Sequence, residues 1–406
     1  MFEMRPRGWF LFRAVVSLLV VFLFTPLLHA QATIKVGDVN LRFGLLAQGW
    51  ADATENPTPP GGYANNLFVR RIRFIVGGQI NPNVSFFFET DNPNLGRATV
   101  AANGTATKVI STGFITQDAF VEWKPTGSTA FMIDGGLMLP PLCRNCLESA
   151  ATLLSLDYGS FSFTEGTATQ SVVGRDTGFL AKGYLAGGHF EYRAGIFSGF
   201  RAAGARNSLR TTARLSYNPW DTESGYVYPG MYFGNKRVLQ FGGAIDHQQD
   251  YKGYSVDAFV SFPMRGAIGS KPGTSSGQVG PVGSTPTAAP AVAHDAVSAE
   301  LTLLGFDGGN TFTGTNGTTL IAEQKAVTFQ AGYYFANPKL MPWLRFERQD
   351  FRAASRNGQD NNRAQAGITW FPAGFNFNVK GAYSRVAPRV GSRTNEYTVQ
   401  MQFFYY

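Results

Sequence analysis

The chain has 406 residues and a formal net charge of +8; it is 44% hydrophobic and 14% aromatic, and only 15% of its residues are charged. Soluble domains carry about 25% charged residues, so 35 Phe, 16 Tyr and 47 Gly with so few charges suit a β-rich chain with one wall turned away from water. The basic residues are scattered through the sequence rather than gathered in a stripe, which argues against nucleic acid as a partner.

The N-terminus comes first. Arg5, Arg7 and Arg13 precede or open onto an apolar run at 14–28, and Ala30-Gln31-Ala32 supplies an A-x-A cut pattern before Thr33. A charged start, a short apolar middle and a small-residue cut site predict a secretory signal peptide over 1–32. The alternative, an uncleaved N-terminal helix, has a run shorter than the ~20 residues a span requires. No later run approaches that length, so any further crossing of a membrane falls to strands.

Beyond the leader the chain reads as short alternating segments bounded by turn residues. A weak strand at 39–50 opens the series. In 67–79, Ile72, Phe74 and Val76 take one face and Arg71 and Arg73 the other. The turn Asn81-Pro82-Asn83 leads to 84–91, where Phe86 and Phe88 oppose Glu89 and Asp91. In 118–124, Ala119, Val121 and Trp123 alternate with Asp118, Glu122 and Lys124, and the chain turns at 125–128 into 129–139. Strands follow at 176–185, 189–199, 209–217, 238–247, 255–262, 296–306, 325–335, 342–351, 363–371 and 375–386. The last, 394–406, sets Tyr397, Val399, Met401, Phe403 and Tyr405 against Thr398, Gln400 and Gln402. The count is roughly sixteen, in the range of an outer-membrane barrel.

The connections alternate in length. Tight turns at 81–83, 125–128, 186–188, 336–339 and 372–374 are interleaved with longer loops near 52–66, 92–113, 139–174, 200–208, 307–323 and 353–362. That alternation predicts an all-β, up-and-down transmembrane antiparallel β-barrel over 33–406, located in the outer membrane with lipid as its surroundings. The greasy terminal strand, a hazard at an open edge, is then expected to close onto 39–50. Residues 264–294, rich in Gly, Pro, Ser, Thr and Ala, fall on the tight-turn side and are predicted to be a flexible insertion. A secreted soluble all-β protein is the alternative architecture.

Few residues suggest chemistry. Cys143 and Cys146 are the two cysteines; in an exported protein their spacing fits a disulfide, and it also leaves open a redox pair or half a metal site. Leu147 in place of His excludes haem attachment, and no second cysteine pair exists to complete a zinc site. His29, His189, His247 and His294 are isolated, and no nucleophile elbow, H-E-x-x-H or P-loop occurs; no enzyme activity, cofactor or metal is expected. By parity with the lipid-facing aromatics, Arg71, Arg73, Lys124, Arg193, Arg210, Arg214, Arg345, Arg363 and Lys380 point inward, with Glu89, Asp91, Asp118, Glu122, Glu191, Asp257 and Glu347. Two readings of these charges stand: ion pairs that brace the wall, or a selective ladder. Arg70 and Arg348 break the parity and are expected at an interface or beside a bulge.

Several blocks carry a family likeness: Phe68–Arg73, Asp118–Pro125, Tyr232–Leu239, Val399–Tyr406 and, most specifically, Trp370-Phe371-Pro372-Ala373-Gly374-Phe375-Asn376-Phe377-Asn378-Val379-Lys380. Together they resemble the phosphate-selective porin O/P family, with gaps, over nearly the whole mature chain. The resemblance implies a sixteen-stranded barrel, a homotrimer, and a third long loop folded into the lumen, whose place is taken by 139–174. It further implies a passive channel for small hydrophilic solutes, with small inorganic anions such as phosphate weakly favoured. Arg144, Glu148 and Asp157 would form the constriction, with the inward cations on the wall. The competing reading is a non-conducting, adhesin-like surface barrel. The cysteine pair in the loop and the 264–294 insertion depart from the family pattern.

Overall fold

The computed structural model describes residues 32–37, 39–56, 62–100, 106–108, 110, 113–164, 174–201, 203–264, 293–312, 320–352 and 359–406. The predicted signal segment, apart from Ala32, and nearly all of the 264–294 insertion lie outside these residues.

A short strand β1 (Ala32–Val36) precedes β2 (Val39–Asn56), β3 (Gly62–Asn81) and β4 (Val84–Asp91). A separate hairpin, β5 (Ala98–Val100) with β6 (Ala106–Lys108), sits in the next loop, before β7 (Ile115–Trp123) and β8 (Met132–Met138). The circuit continues through β9 (Asp176–Leu185), β10 (Phe190–Phe197), β11 (Arg210–Tyr217), β12 (Val238–Gln248) and β13 (Tyr251–Pro263). It ends with β14 (Ala296–Asp307), β15 (Gln324–Tyr334), β16 (Leu340–Phe351), β17 (Asn361–Trp370), β18 (Phe377–Pro388) and β19 (Thr394–Tyr405). Sixteen of these pair antiparallel, each with its neighbour, and β19 returns to β2 from Glu396↔Thr54 to Tyr405↔Leu45. The barrel is closed, so no strand edge is left unpaired around its circumference. β1 prolongs the seam: it pairs with β2 at Ala32↔Phe43 through Val36↔Val39, just past the end of β19.

The sixteen predicted strands are all present. The sequence pattern predicts neither β1 nor the β5–β6 hairpin, and the predicted 52–66 loop is mostly strand, with only 57–61 between β2 and β3. The extra turns of β2 and β3 read Ala51-Asp52-Ala53-Thr54-Glu55-Asn56 and Gly62-Tyr63-Ala64-Asn65-Asn66. Such stretches lack apolar alternation, and without an apolar face a strand has no period to read.

Alternation orients the wall. On β19, Tyr397 and Val399 are exposed outward while Thr398, Gln400 and Gln402 are buried inward. Phe74, Val121, Trp123, Leu215, Phe241, Ile245, Leu344 and Ile368 continue the exposed apolar exterior. Aromatic pairs stand at both ends of the wall, Phe190 stacked on Tyr217 at 4.6 Å and Tyr383 beside Tyr397 at 5.3 Å. An apolar band flanked by aromatics facing out, with charges facing in, is the pattern of a barrel in lipid. Among the described residues no helix is long and apolar enough to cross a membrane.

The interior holds a surprise for a water-filled tube: an apolar core. Leu46, Ile75, Phe87, Phe120, Leu180, Trp343 and Phe404 from the wall pack with Leu139, Leu147, Leu154 and Leu156 of one connection and Tyr226, Tyr228, Met231 and Phe233 of another.

Candidate functional site

Two connections enter the lumen from opposite ends. The first, between β8 and β9 and described at 139–164 and 174–175, takes the place of the predicted inward loop 139–174. Near its start stand the Cys143–Cys146 pair, joined as a disulfide, and a single 3₁₀ turn, Asn145–Leu147. Its far part is pinned by polar contacts to the wall, at β3 and at β16 and β18. Asp157 takes Arg71 at 2.5 Å and Arg70 at 2.9 Å. Lys380 Nζ donates to the carbonyls of Leu153 (2.8 Å) and Ser155 (2.5 Å), and Arg345 donates to that of Asp157 at 2.6 Å. Ser160 bonds both oxygens of Glu347. Arg70 reaches Asp157 because of a β-bulge: Gly49 faces Val69 and Gln48 faces Arg71, leaving Arg70 as the extra residue. The expected anomaly at Arg70 is thus a bulge that re-aims a side chain into the lumen. Arg348 is instead exposed and pairs with Asp350 at 2.7 Å.

The second connection has no counterpart among the predicted loops. Residues 218–237, between β11 and β12, lie on the tight-turn end yet fold inward instead of turning. Asp221 N donates to Arg237 O, closing the neck, and the segment in between crosses the lumen. At one side Tyr226 packs on Phe120 (4.7 Å) and Phe87 (5.8 Å), while its hydroxyl reaches Asp118 and accepts from Leu139 N. At the other, Phe233 meets Tyr334, Phe371 and Phe375 at 5.0, 5.2 and 4.7 Å. In between, Tyr228 pairs with Glu148 as a parallel bridge, and Gly230 N donates to Thr152 O. A Cβ on Gly230 would stand 2.5 Å from Leu154 N, so the two backbones meet too closely for any side chain there.

Arg144 locks the two segments together. It forks onto Glu223 at 2.7 and 2.9 Å, touches Gln240 and the Pro229 carbonyl, and lies 3.7 Å above the Phe259 ring. Glu223 also accepts from Tyr232. The three residues expected to present charge at a constriction therefore stand differently. Arg144 is fully buried against Glu223, Asp157 is matched by Arg70 and Arg71, and Glu148 is buried with one oxygen bonded to Asn145. Burial, and the Glu300 carboxylate close by, raise the Glu148 pKa well above the ordinary glutamate range. Burial also opposes ionisation of Asp157, but Arg70 and Arg71 outweigh it and hold its carboxyl below the usual range.

The predicted wall cations all point inward, and each is engaged. Arg73 holds Glu89 (2.6 Å) and Asp91 (3.0 Å), Arg193 holds Glu191 (2.6 Å), and Arg210 holds Asp246. Arg214 grips Asp257 at 2.6 and 2.7 Å. That pair spans β12 in front of Gly242, where a Cβ would collide with both partners. Arg363 takes Glu396 at 2.5 Å and Lys124 lies 3.7 Å from Glu122. Parity alone missed several partners: Lys182 between Glu122 (2.8 Å) and Asp134 (2.7 Å), Arg175 on Asp118 (2.9 Å), and Glu223 and Glu300. The signal for the second segment was present in Tyr226-Val227-Tyr228-Pro229-Gly230-Met231-Tyr232-Phe233, an aromatic run where a short turn belongs.

A closed sixteen-stranded antiparallel barrel, apolar outside and charged within, is an outer-membrane barrel of the porin fold. Solved structures agree. The chain is similar to Salmonella typhi OmpF, seen in complex with daunomycin, at TM-score 0.55 and 14% identity over 92% of this chain and 100% of that one. It is similar to an anion-selective porin from Comamonas acidovorans at TM-score 0.53 and 10% identity, covering 90% and 100%. The trimer form of the outer membrane protein OmpT of Vibrio cholerae gives TM-score 0.51 and 11% identity, covering 90% and 99%. No protein-family model and no curated protein sequence matches the chain. The porin fold is shown; the phosphate-selective O/P likeness gains no support beyond it.

Proposed function

We propose that the chain is an outer-membrane diffusion channel for small hydrophilic solutes, exported by its 1–32 leader and working as a homotrimer. The observation that carries this reading is the closed barrel whose charged lumen is narrowed by the inward loop 139–175. Trimeric assembly is supported by likeness to the trimer form of OmpT. The weak anion preference expected from the sequence loses its physical basis here. Each predicted wall cation is engaged, and among the described residues the buried charges comprise ten Lys or Arg against thirteen Asp or Glu. A lumen balanced in this way filters chiefly by size, with cations slightly favoured by sign. Reversal potentials in a potassium chloride gradient across planar bilayers test this, and a clear anion preference would overturn it. The packed lumen also favours a second reading, a non-conducting barrel: correctly folded protein, showing heat-shifted gel mobility but no conductance, selects it.

A further inference from the structure

We infer that residues 218–237 are a lid at the periplasmic mouth, and that this lid, latched to the inward loop, sets the limiting conductance of the channel. The inference rests on the diffusion-channel reading and names the element that controls it. Short turns are what the periplasmic end of such a barrel normally carries. Here the neck Asp221–Arg237 is already closed by a backbone hydrogen bond, and Tyr217 is paired with Phe241, so the hairpin from β11 to β12 is complete without the intervening residues. Those residues instead span the mouth. They touch Phe87 of β4 and Phe120 of β7 on one side, and Tyr334 of β15 with Phe371 and Phe375 before β18 on the other. The contacts are of two kinds. Aromatic packing seats the ends, whereas the middle is joined to the loop 139–175 by backbone bonds, Tyr228 N to Leu147 O at 2.8 Å, Ser149 N to Tyr228 O at 2.9 Å and Gly230 N to Thr152 O at 3.0 Å. Arg144 on Glu223, and Arg193 on the carbonyls of Gly225 and Tyr226, complete the latch. A solute following the lumen meets this double layer wherever it approaches the core.

The test is single-channel conductance of the full chain and of a variant in which 222–236 are replaced by a short Gly-Asn turn joining Asp221 to Arg237, each first shown to have heat-shifted mobility. A several-fold rise in conductance, or its appearance where the parent has none, supports the lid. Equal, measurable conductance in both overturns the lid and leaves the channel reading standing. No conductance in either folded protein overturns both. Should the deletion not fold, Glu223→Gln combined with Tyr226→Phe loosens the latch while keeping side-chain volume. More frequent or longer openings are then expected, and an unchanged open probability overturns the lid.

Discussion

The two segments inside this barrel are anchored to its wall with different balances of polar and aromatic contact. The loop after β8 reaches the wall through ions and carbonyls: Asp157 on Arg70 and Arg71, Lys380 on two backbone oxygens, Ser160 on Glu347. The segment 218–237 seats rings at both ends, Tyr226 on Phe120 and Phe233 on Phe375, with Arg193 on the Gly225 and Tyr226 carbonyls adding a polar contact beside the first. Polar anchors depend on geometry and charge, so they respond to pH and to single substitutions, whereas aromatic burial is non-directional and scales with area. Where the two segments meet, the character changes again, to a buried ion pair between Arg144 and Glu223. That pair couples the fate of one segment to the other.

Breaking it has the largest expected effect. Glu223→Ala leaves Arg144 as an uncompensated buried charge, which should cost about 3–5 kcal/mol, read as a lower urea midpoint for the refolded barrel, with protease cleavage gained in both segments. Cleavage confined to one segment would show that they are not coupled. Asp157→Asn keeps an acceptor for Arg70 and Arg71 but removes the charge; about 1.5–3 kcal/mol is expected, with cleavage gained in 139–164 alone.

A pH titration sharpens the contrast within the loop. The folded-state pKa of Glu148 is raised by burial and by Glu300, so its contribution is full below the unfolded value of about 4.3 and declines as pH rises through the folded value. For Asp157 the folded pKa is depressed, by Arg70 and Arg71 against the opposing effect of burial; its contribution is full above about 3.9 and is lost only as pH falls through that lower value. Glu148→Gln should therefore stabilise the loop at neutral pH and flatten the pH dependence of its proteolysis on the acid side of neutrality; loss of stability at neutral pH would break this account. The smallest effect belongs to Arg348→Ala, outside both segments. Its exposed pair with Asp350 is screened by solvent and should contribute little to stability, leaving conductance and cleavage pattern as in the parent.

Much of the fold was legible because strand parity is local. A residue's neighbours two positions away reveal which side it faces, and this sufficed to orient Arg71, Arg214 and Lys380 inward and Tyr397 and Val399 outward. The turn–loop alternation likewise gave the strand number and closure of β19 onto β2. It could not give what those inward charges meet. Arg144 and Glu223 are 79 residues apart, and Lys380 and Leu153 are separated by 227; such partners are chosen by how a loop crosses the lumen, which no local period encodes. The same limit hid the lid. Aromatic residues at 226–233 were visible, but an apolar run in a connection has meaning only once a cavity exists for it to fill.

The sequence by itself determined a closed barrel, its lipid-facing and lumen-facing sides and an end crowded with tight turns, because alternation and turn chemistry act over a few residues. Only the tertiary structure decided that the lumen is occupied, that its cations are matched and that two connections meet inside it, because the cost of leaving buried charge and apolar surface unpartnered is settled across the whole barrel at once.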